Sequence, residues 1–135
     1  MTVQLSVTVR NARLDAIETA IGTSARLKIR TGAPPATCAT ADSGTVLADV
    51  TCPSDWLAAA ASGSKALSGT WQDASADATG TAAHFRLYES TGATCHMQGT
   101  VTITGGGGDM TVDNTSFAAG QVFNVTTFTL TDGNA

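Results

Sequence analysis

The chain has 135 residues, enough for one domain that buries roughly two-thirds of its unfolded surface. Only 13% of the residues are charged, about half the usual share for a soluble domain, and Ala, Thr, Gly and Ser fill the gap. The net charge of −4 and the seven Lys and Arg residues argue against nucleic-acid binding, which works by neutralising phosphates along a basic stripe. What positive charge there is gathers early, at Arg10, Arg13, Arg26, Lys28 and Arg30, leaving an acidic remainder.

Met1–Arg10 lacks a basic segment followed by an apolar block, so no signal peptide is expected. No apolar run approaches the ~20 residues of a membrane span. Cys38, Cys52 and Cys95 are odd in number and form no paired motif. Free, buried thiols in a cytosolically made protein are the economical account, with a Cys38–Cys52 bridge as the alternative.

In chain order, Thr2–Val9 comes first and alternates, with Val3, Leu5, Val7 and Val9 on one side. It reads either as an extended arm that adds to a sheet or as an ordinary first strand. Asn11 can cap a short helix in which Leu14, Ile17 and Ile21 form an apolar stripe, and Gly22 is placed to end it. Such a helix, roughly 11 residues long, is marginal unless the stripe docks on its own sheet or on a neighbouring subunit.

From Ala25 the period changes to two. Leu27 and Ile29 alternate with Lys28 and Arg30 before Thr31-Gly-Ala-Pro-Pro35 breaks the strand. Val46, Ala48 and Val50 share a face of the next strand, which Pro53 ends. Trp56–Ala61 fits a helical turn or a loop, and a strand is expected around Trp71, followed by the loop Asp73–Thr79. In the segment Thr81–Ser90, Ala83, Phe85 and Leu87 oppose His84, Arg86 and Tyr88. Ser90–Ala93 then turns into a partner strand, Thr94–Thr104. Gly105–Gly108 reads as a flexible connection to a strand starting at Met110 and Val112. In Gln121–Thr131, Phe123 and Val125 fall on one parity and Phe128 and Leu130 on the other; a bulge near Thr126-Thr127 would bring all four to one side. The pattern predicts a mainly β fold: a single β-sandwich of about seven or eight strands, jelly-roll or Greek-key-like, over 25–135, with an N-terminal arm and short helix over 1–24. A barrel is the alternative.

Sites for chemistry are sparse. His84 and His96 would be cross-strand neighbours in a hairpin centred on Gly92, yet Cys95 and His96 point to opposite faces and cannot easily share an ion. Solvated or interface histidines are the simpler reading. Gly105–Asp109 lacks the Gly-Lys-Ser/Thr of a phosphate loop and the Asp spacing of a calcium-binding repeat. Asp73, Asp77, Asp109 and Asp113 could meet around a cation only if their loops converge. No Gly-x-Ser-x-Gly elbow is present. The sequons at Asn114 and Asn124 read as chance matches in a Thr-rich chain. Neither an enzyme nor a cofactor or metal site is expected.

Several blocks together resemble small structural proteins encoded in phage and prophage gene clusters. They are Arg10-Asn-Ala-Arg-Leu-Asp-Ala-Ile17, Leu27–Pro35, Gly80-Thr-Ala-Ala-His-Phe-Arg-Leu-Tyr88, Asp113-Asn-Thr-Ser116 and Val122–Gly133. The resemblance spans most of the chain, and its motifs are structural rather than catalytic. It implies a virion protein made in the host cytoplasm: a capsid decoration or cement subunit that binds major capsid protein, homo-oligomeric on the particle. A tail or head–tail connector component, or a carbohydrate-binding tail-tip module, is the alternative. The cysteines lie outside the resembling pattern and read as core fillers. Val3, Leu5, Val7, Val9, Leu14, Ile17, Ile21 and Trp56 are the candidate protein-interface residues.

Overall fold

The computed structural model describes residues 3–133. Thr2, where the expected arm begins, lies outside them. The described residues form one helix, α1 (Val7–Ile21), and ten strands: β1 (Arg26–Arg30), β2 (Val46–Thr51), β3 (Ser64–Ala66), β4 (Gln72–Asp73), β5 (Gly80–Thr81), β6 (His84–Tyr88), β7 (Cys95–Ile103), β8 (Met110–Val112), β9 (Ser116–Phe117) and β10 (Phe123–Thr131). The fold is mainly β with one short helix, as the change of period indicates.

Eight strands build one curled sheet in the order β2-β1-β6-β7-β8-β10-β3, with β4 also pairing β10; β5 and β9 form a separate pair. The two ends of the curl approach each other. Asp49 N–H donates to the Asp73 carboxylate across 3.1 Å, and Asp77 N–H to the Leu47 carbonyl across 2.8 Å. Inside the curl Leu27, Ile29, Leu47, Trp56, Trp71, Phe85, Leu87, Met110 and Phe123 are buried. Trp71 touches both Trp56 and Phe128, and Phe128 meets Phe85 edge-on.

The bulge lies where the parity shift places it. Val125 pairs Val112 and Thr127 pairs Thr111, leaving Thr126 as the extra residue. Phe123, Val125 and Phe128 are buried together, and Leu130 packs against the same core. The Ser90–Ala93 turn also forms, with Gly92 at φ +74°.

One joint departs from an antiparallel Greek-key or jelly-roll path. β7 and β8 are parallel, Val101 facing Met110 and Ile103 facing Val112. Parallel neighbours ordinarily need a dozen or more linking residues; here 104–109 suffices because four glycines coil tightly. A Cβ on Gly106 would stand 2.8 Å from Thr102 Cβ, and one on Gly108 2.9 Å from Thr102 Cγ2. Gly108 N–H donates to Thr102 Oγ1. In the segment read as a flexible connection, Gly106 and Gly108 pack against Thr102, whereas a Cβ on Gly105 or Gly107 would meet open space.

The N-terminal reading is corrected. Ser6, not Asn11, is the N-cap, its hydroxyl accepting from Val9 N–H, so Val7 and Val9 belong to the helix rather than to an extended arm. Their β-branched side chains are poor helix formers. Contacts along the helix and at its ends supply what propensity does not. Arg10 donates to the Asp132 carbonyl, and Arg13 pairs with the Asp132 carboxylate. Leu14 and Ile21 are buried, Ile17 packs on the core, and Gly22 N–H returns to Glu18 to close the C-terminus.

The other stripe of α1 is polar and equally occupied. Asn11, Asp15 and Glu18 accept the backbone N–H groups of Gly63, Ala60 and Leu57. That alignment holds 57–63 in an open, non-helical course, which settles the Trp56–Ala61 ambiguity in favour of a loop.

Candidate functional site

Strand register decides which polar side chains meet. β1 and β6 pair with Lys28 opposite Arg86 and Arg30 opposite His84, and β6 pairs β7 with His84 opposite Thr100 and Arg86 opposite Gln98. The side chains on this face therefore point away from the apolar core. The alternation of 81–90 sets His84, Arg86 and Tyr88 on the face opposite Phe85 and Leu87, and both faces of β6 are buried. The cover is the segment 31–45, which leaves β1, folds back over the sheet and returns as β2.

This cover has no regular secondary structure, so its carbonyls need donors from elsewhere. The sheet provides them. Arg86 donates through its terminal nitrogens to the carbonyls of Thr40 (3.0 Å) and Cys38 (2.6 Å). Gln98 reaches the Pro35 carbonyl, and Arg30 makes longer contacts with those of Ser43 and Gly44. His84 Nδ1 lies 2.7 Å from the Gly32 carbonyl. Because a carbonyl can only accept, Nδ1 carries the proton there. Nε2 is left buried without a partner among the described residues. Burial holds the imidazole below its ordinary pKa, with the Gly32 bond opposing and the Arg30 and Arg86 charges reinforcing, so His84 is neutral.

Asp42 is the keystone of the cover. Its two carboxylate oxygens each lie 2.6 Å from a guanidinium nitrogen, one of Arg30 and one of Arg86, and Tyr88 donates to it across 2.7 Å. The Arg30 and Arg86 side chains retain 7% and 1% of their exposure, so this carboxylate is their counter-ion in a largely dry environment. Burial works to raise the Asp42 carboxyl. The Tyr88 hydrogen bond and the Arg30, Arg86 and Lys28 charges outweigh it and hold the group below its ordinary value. Burial and the Asp42 bond push Tyr88 up to about 12.

Beside this clamp opens a cleft of about 400 Å³ lined by Cys38, Asp42, Arg86, Tyr88 and Cys95. Arg86 Nε–H donates to Cys95 Sγ across 3.2 Å, the Cys95 thiol donates to the Met97 carbonyl across 3.3 Å, and Cys38 lines the same cleft. The reading of the cysteines as core fillers holds for Cys52 alone. Burial pushes that thiol up to about 12, and it pairs with neither of the others. All three are free, so the alternative of a Cys38–Cys52 bridge is not realised.

A second, open cleft of about 590 Å³ lies between α1 and 54–65. At its edge the buried Lys65 ammonium meets Asp15 at 2.8 Å, Glu18 at 2.9 Å and the Ala58 carbonyl at 2.8 Å. Burial disfavours the charge, but the two carboxylates outweigh it and raise the Lys65 pKa. An amine kept protonated has no lone pair to offer a substrate.

The remaining sequence candidates separate. His96 is not opposite His84; it approaches Glu89. Asp109 is occupied by Thr100 and Asp113 by Asn124, so the four aspartates do not converge. Among the described residues no group of three or more His, Cys, Asp and Glu could hold a metal. Of the expected interface residues, Leu14, Ile17, Ile21 and Trp56 serve this domain's own packing. Trp56 is fully buried, and its indole N–H donates to the Gly22 carbonyl. Leu5 is half-buried, and Val3, Val7 and Val9 are exposed. The clamp escaped the sequence because Arg86 and Tyr88 lie 44 and 46 positions from Asp42 in the chain; the parity of β1 and β6 was the only local signal. No protein-family model, curated protein or solved structure matches the chain.

Proposed function

We propose that this protein is a non-enzymatic structural subunit of a bacteriophage particle, a decoration or cement protein that binds and stabilises major capsid protein. The observation that carries the reading is the location of its exposed apolar side chains. Among the described residues five large apolar side chains are exposed, and three of them, Val3, Val7 and Val9, fall within the first nine residues of a charge-poor chain, the others being Ile103 and Val122. Helix α1 presents Val7 and Val9 on a rigid support, since Arg10 and Arg13 tie it to Asp132 near the other end of the chain. Low charge keeps the desolvation cost of subunit contact small, and many symmetric copies turn weak contacts into stable attachment. The polar clusters support a structural role as well: their charges are spent on holding the 31–45 cover and the 57–63 segment in place. The tail-tip carbohydrate alternative finds less support, because every Trp, Tyr and Phe side chain is buried and none offers a stacking surface.

The test is add-back to purified particles lacking the chain. Wild-type protein should co-sediment at a stoichiometry comparable to that of the capsid subunit. Val7→Asp/Val9→Asp should stay in the supernatant while keeping the wild-type melting temperature. Binding in only a single ring's worth of copies points to a connector or tail position instead. Wild-type protein that never pellets, or a double variant that pellets equally, refutes the reading.

A further inference from the structure

The cleft beside the arginine clamp brings together two thiols that lie 57 positions apart in the chain, one on the 31–45 cover and one at the start of β7. Neither is a core residue; both are half-buried at the cleft wall. The Arg86 guanidinium holds both ends of the arrangement. Its Nε–H points at Cys95 Sγ (3.2 Å), and one of its terminal nitrogens holds the Cys38 carbonyl (2.6 Å), tying the Cys38 backbone to the β6 side chain that also touches Cys95. We propose that Cys38 and Cys95 form an oxidisable dithiol site that takes a small-molecule disulfide as oxidant and closes to an intramolecular disulfide, stapling the 31–45 cover to β7. The inference is independent of the particle reading.

The chemistry balances as two thiol–disulfide exchanges. Cys95, as thiolate, attacks one sulfur of the oxidant. The oxidant's S–S bond breaks, a mixed disulfide forms on Cys95, and the first small thiolate leaves and takes up the proton Cys95 lost. Cys38 then gives its proton to solvent and attacks Cys95 Sγ, expelling the second small thiolate, which is protonated in turn. Two cysteine thiols are oxidised by two electrons in all, and one small disulfide is reduced to two thiols.

The order follows from the surroundings. Cys95 is the sulfur in contact with the Arg86 guanidinium, held there by that Nε–H and by its own hydrogen bond to the Met97 carbonyl. Cys38 is held as a thiol, its pKa raised first by burial and then by Cys95, so it acts second, when the mixed disulfide is already within reach. Disulfide geometry is narrow, and the irregular 31–45 backbone can supply the adjustment that a strand could not. Cys52, buried on the other side of the sheet, is the internal control.

The experiment exposes the folded chain to glutathione disulfide, then alkylates remaining thiols in denaturant and maps peptides without reduction. The expected product is an intact mass lower by two hydrogens before alkylation and, after it, a Cys38–Cys95 cross-linked peptide with an alkylated Cys52; dithiothreitol added before alkylation abolishes both the mass loss and the cross-link. The oxidised form should melt several degrees higher, because the bond closes a long loop in the unfolded chain. Cys38→Ser should stop at a stable glutathione adduct on Cys95. The wild-type result is decisive by itself if that variant does not fold. A glutathione adduct that persists on the wild-type chain, a bridge that includes Cys52, or three thiols that remain alkylatable would each overturn the proposal.

Discussion

Replacing Asp42 by alanine removes the only carboxylate in contact with the Arg30 and Arg86 guanidiniums among the described residues. Stripping one partner from a buried ion pair costs about 3–5 kcal/mol, because the surviving charge stays desolvated. Here two charges survive, but the Asp42 side chain keeps 38% of its exposure, and water entering the vacated position screens them. We therefore expect about 2–4 kcal/mol for Asp42→Ala, and about half of that for Asp42→Asn, which retains an acceptor for Tyr88. With a urea slope of about 1–3 kcal/mol/M, the alanine variant should unfold at a midpoint lower by about 1–2 M. Adding Arg86→Met should return part of the loss, since the double variant no longer buries that charge. The pH dependence has a definite sign. The folded carboxyl lies below its ordinary value of 3.8, so its stabilisation is complete above that pH and fades as pH falls through the folded value. The gap between wild type and Asp42→Ala should therefore close at low pH. A loss below about 0.5 kcal/mol, the level of an exposed ion pair, would refute the reasoning: the cover would not depend on this contact.

Two further substitutions probe places where the tertiary structure corrects the local reading. Trp56→Ala should cost about 3–5 kcal/mol in chemical denaturation, and Trp56→Phe less, because it forfeits mainly the hydrogen bond to Gly22. A Trp56→Ala protein as stable as wild type would mean the indole is not in the core. Gly106→Ala should cost about 1–3 kcal/mol by overpacking, since its Cβ would meet Thr102 Cβ at 2.8 Å and the Ile103 carbonyl at 3.0 Å. Unchanged melting would instead describe the loose linker that a glycine run suggests.

Much of the sheet was legible because β structure writes a period of two into the chain. The paired alternation of Leu27 and Ile29 with Phe85 and Leu87 marks β1 and β6, and these four side chains do form adjoining rows of the core. Ser90–Ala93 carries its own turn chemistry. The parity break between Val125 and Phe128 could be resolved only by an extra residue, and Thr126 is that residue. Each of these signals is local, complete within a few neighbouring residues.

The candidate site was not legible, because alternation shows that two faces differ without showing what covers them. In sequence, His84, Arg86 and Tyr88 are only the face opposite Phe85 and Leu87. They are buried because 31–45 returns across them and spends its carbonyls on their donors. The N-terminal valines mislead for a related reason: β-branched residues favour strands, yet Ser6 caps a helix there and the docking of Leu14 and Ile21 carries its cost. Trp56 beside an alanine run resembles an anchor for a partner until the fold sets it against Trp71. Period and turn chemistry alone thus determined a mainly β chain with one helix and a bulged last strand. Tertiary structure alone decided which polar side chains meet and which apolar ones stay exposed. Those outcomes depend on contacts between distant segments, and such contacts leave no periodic trace in either partner.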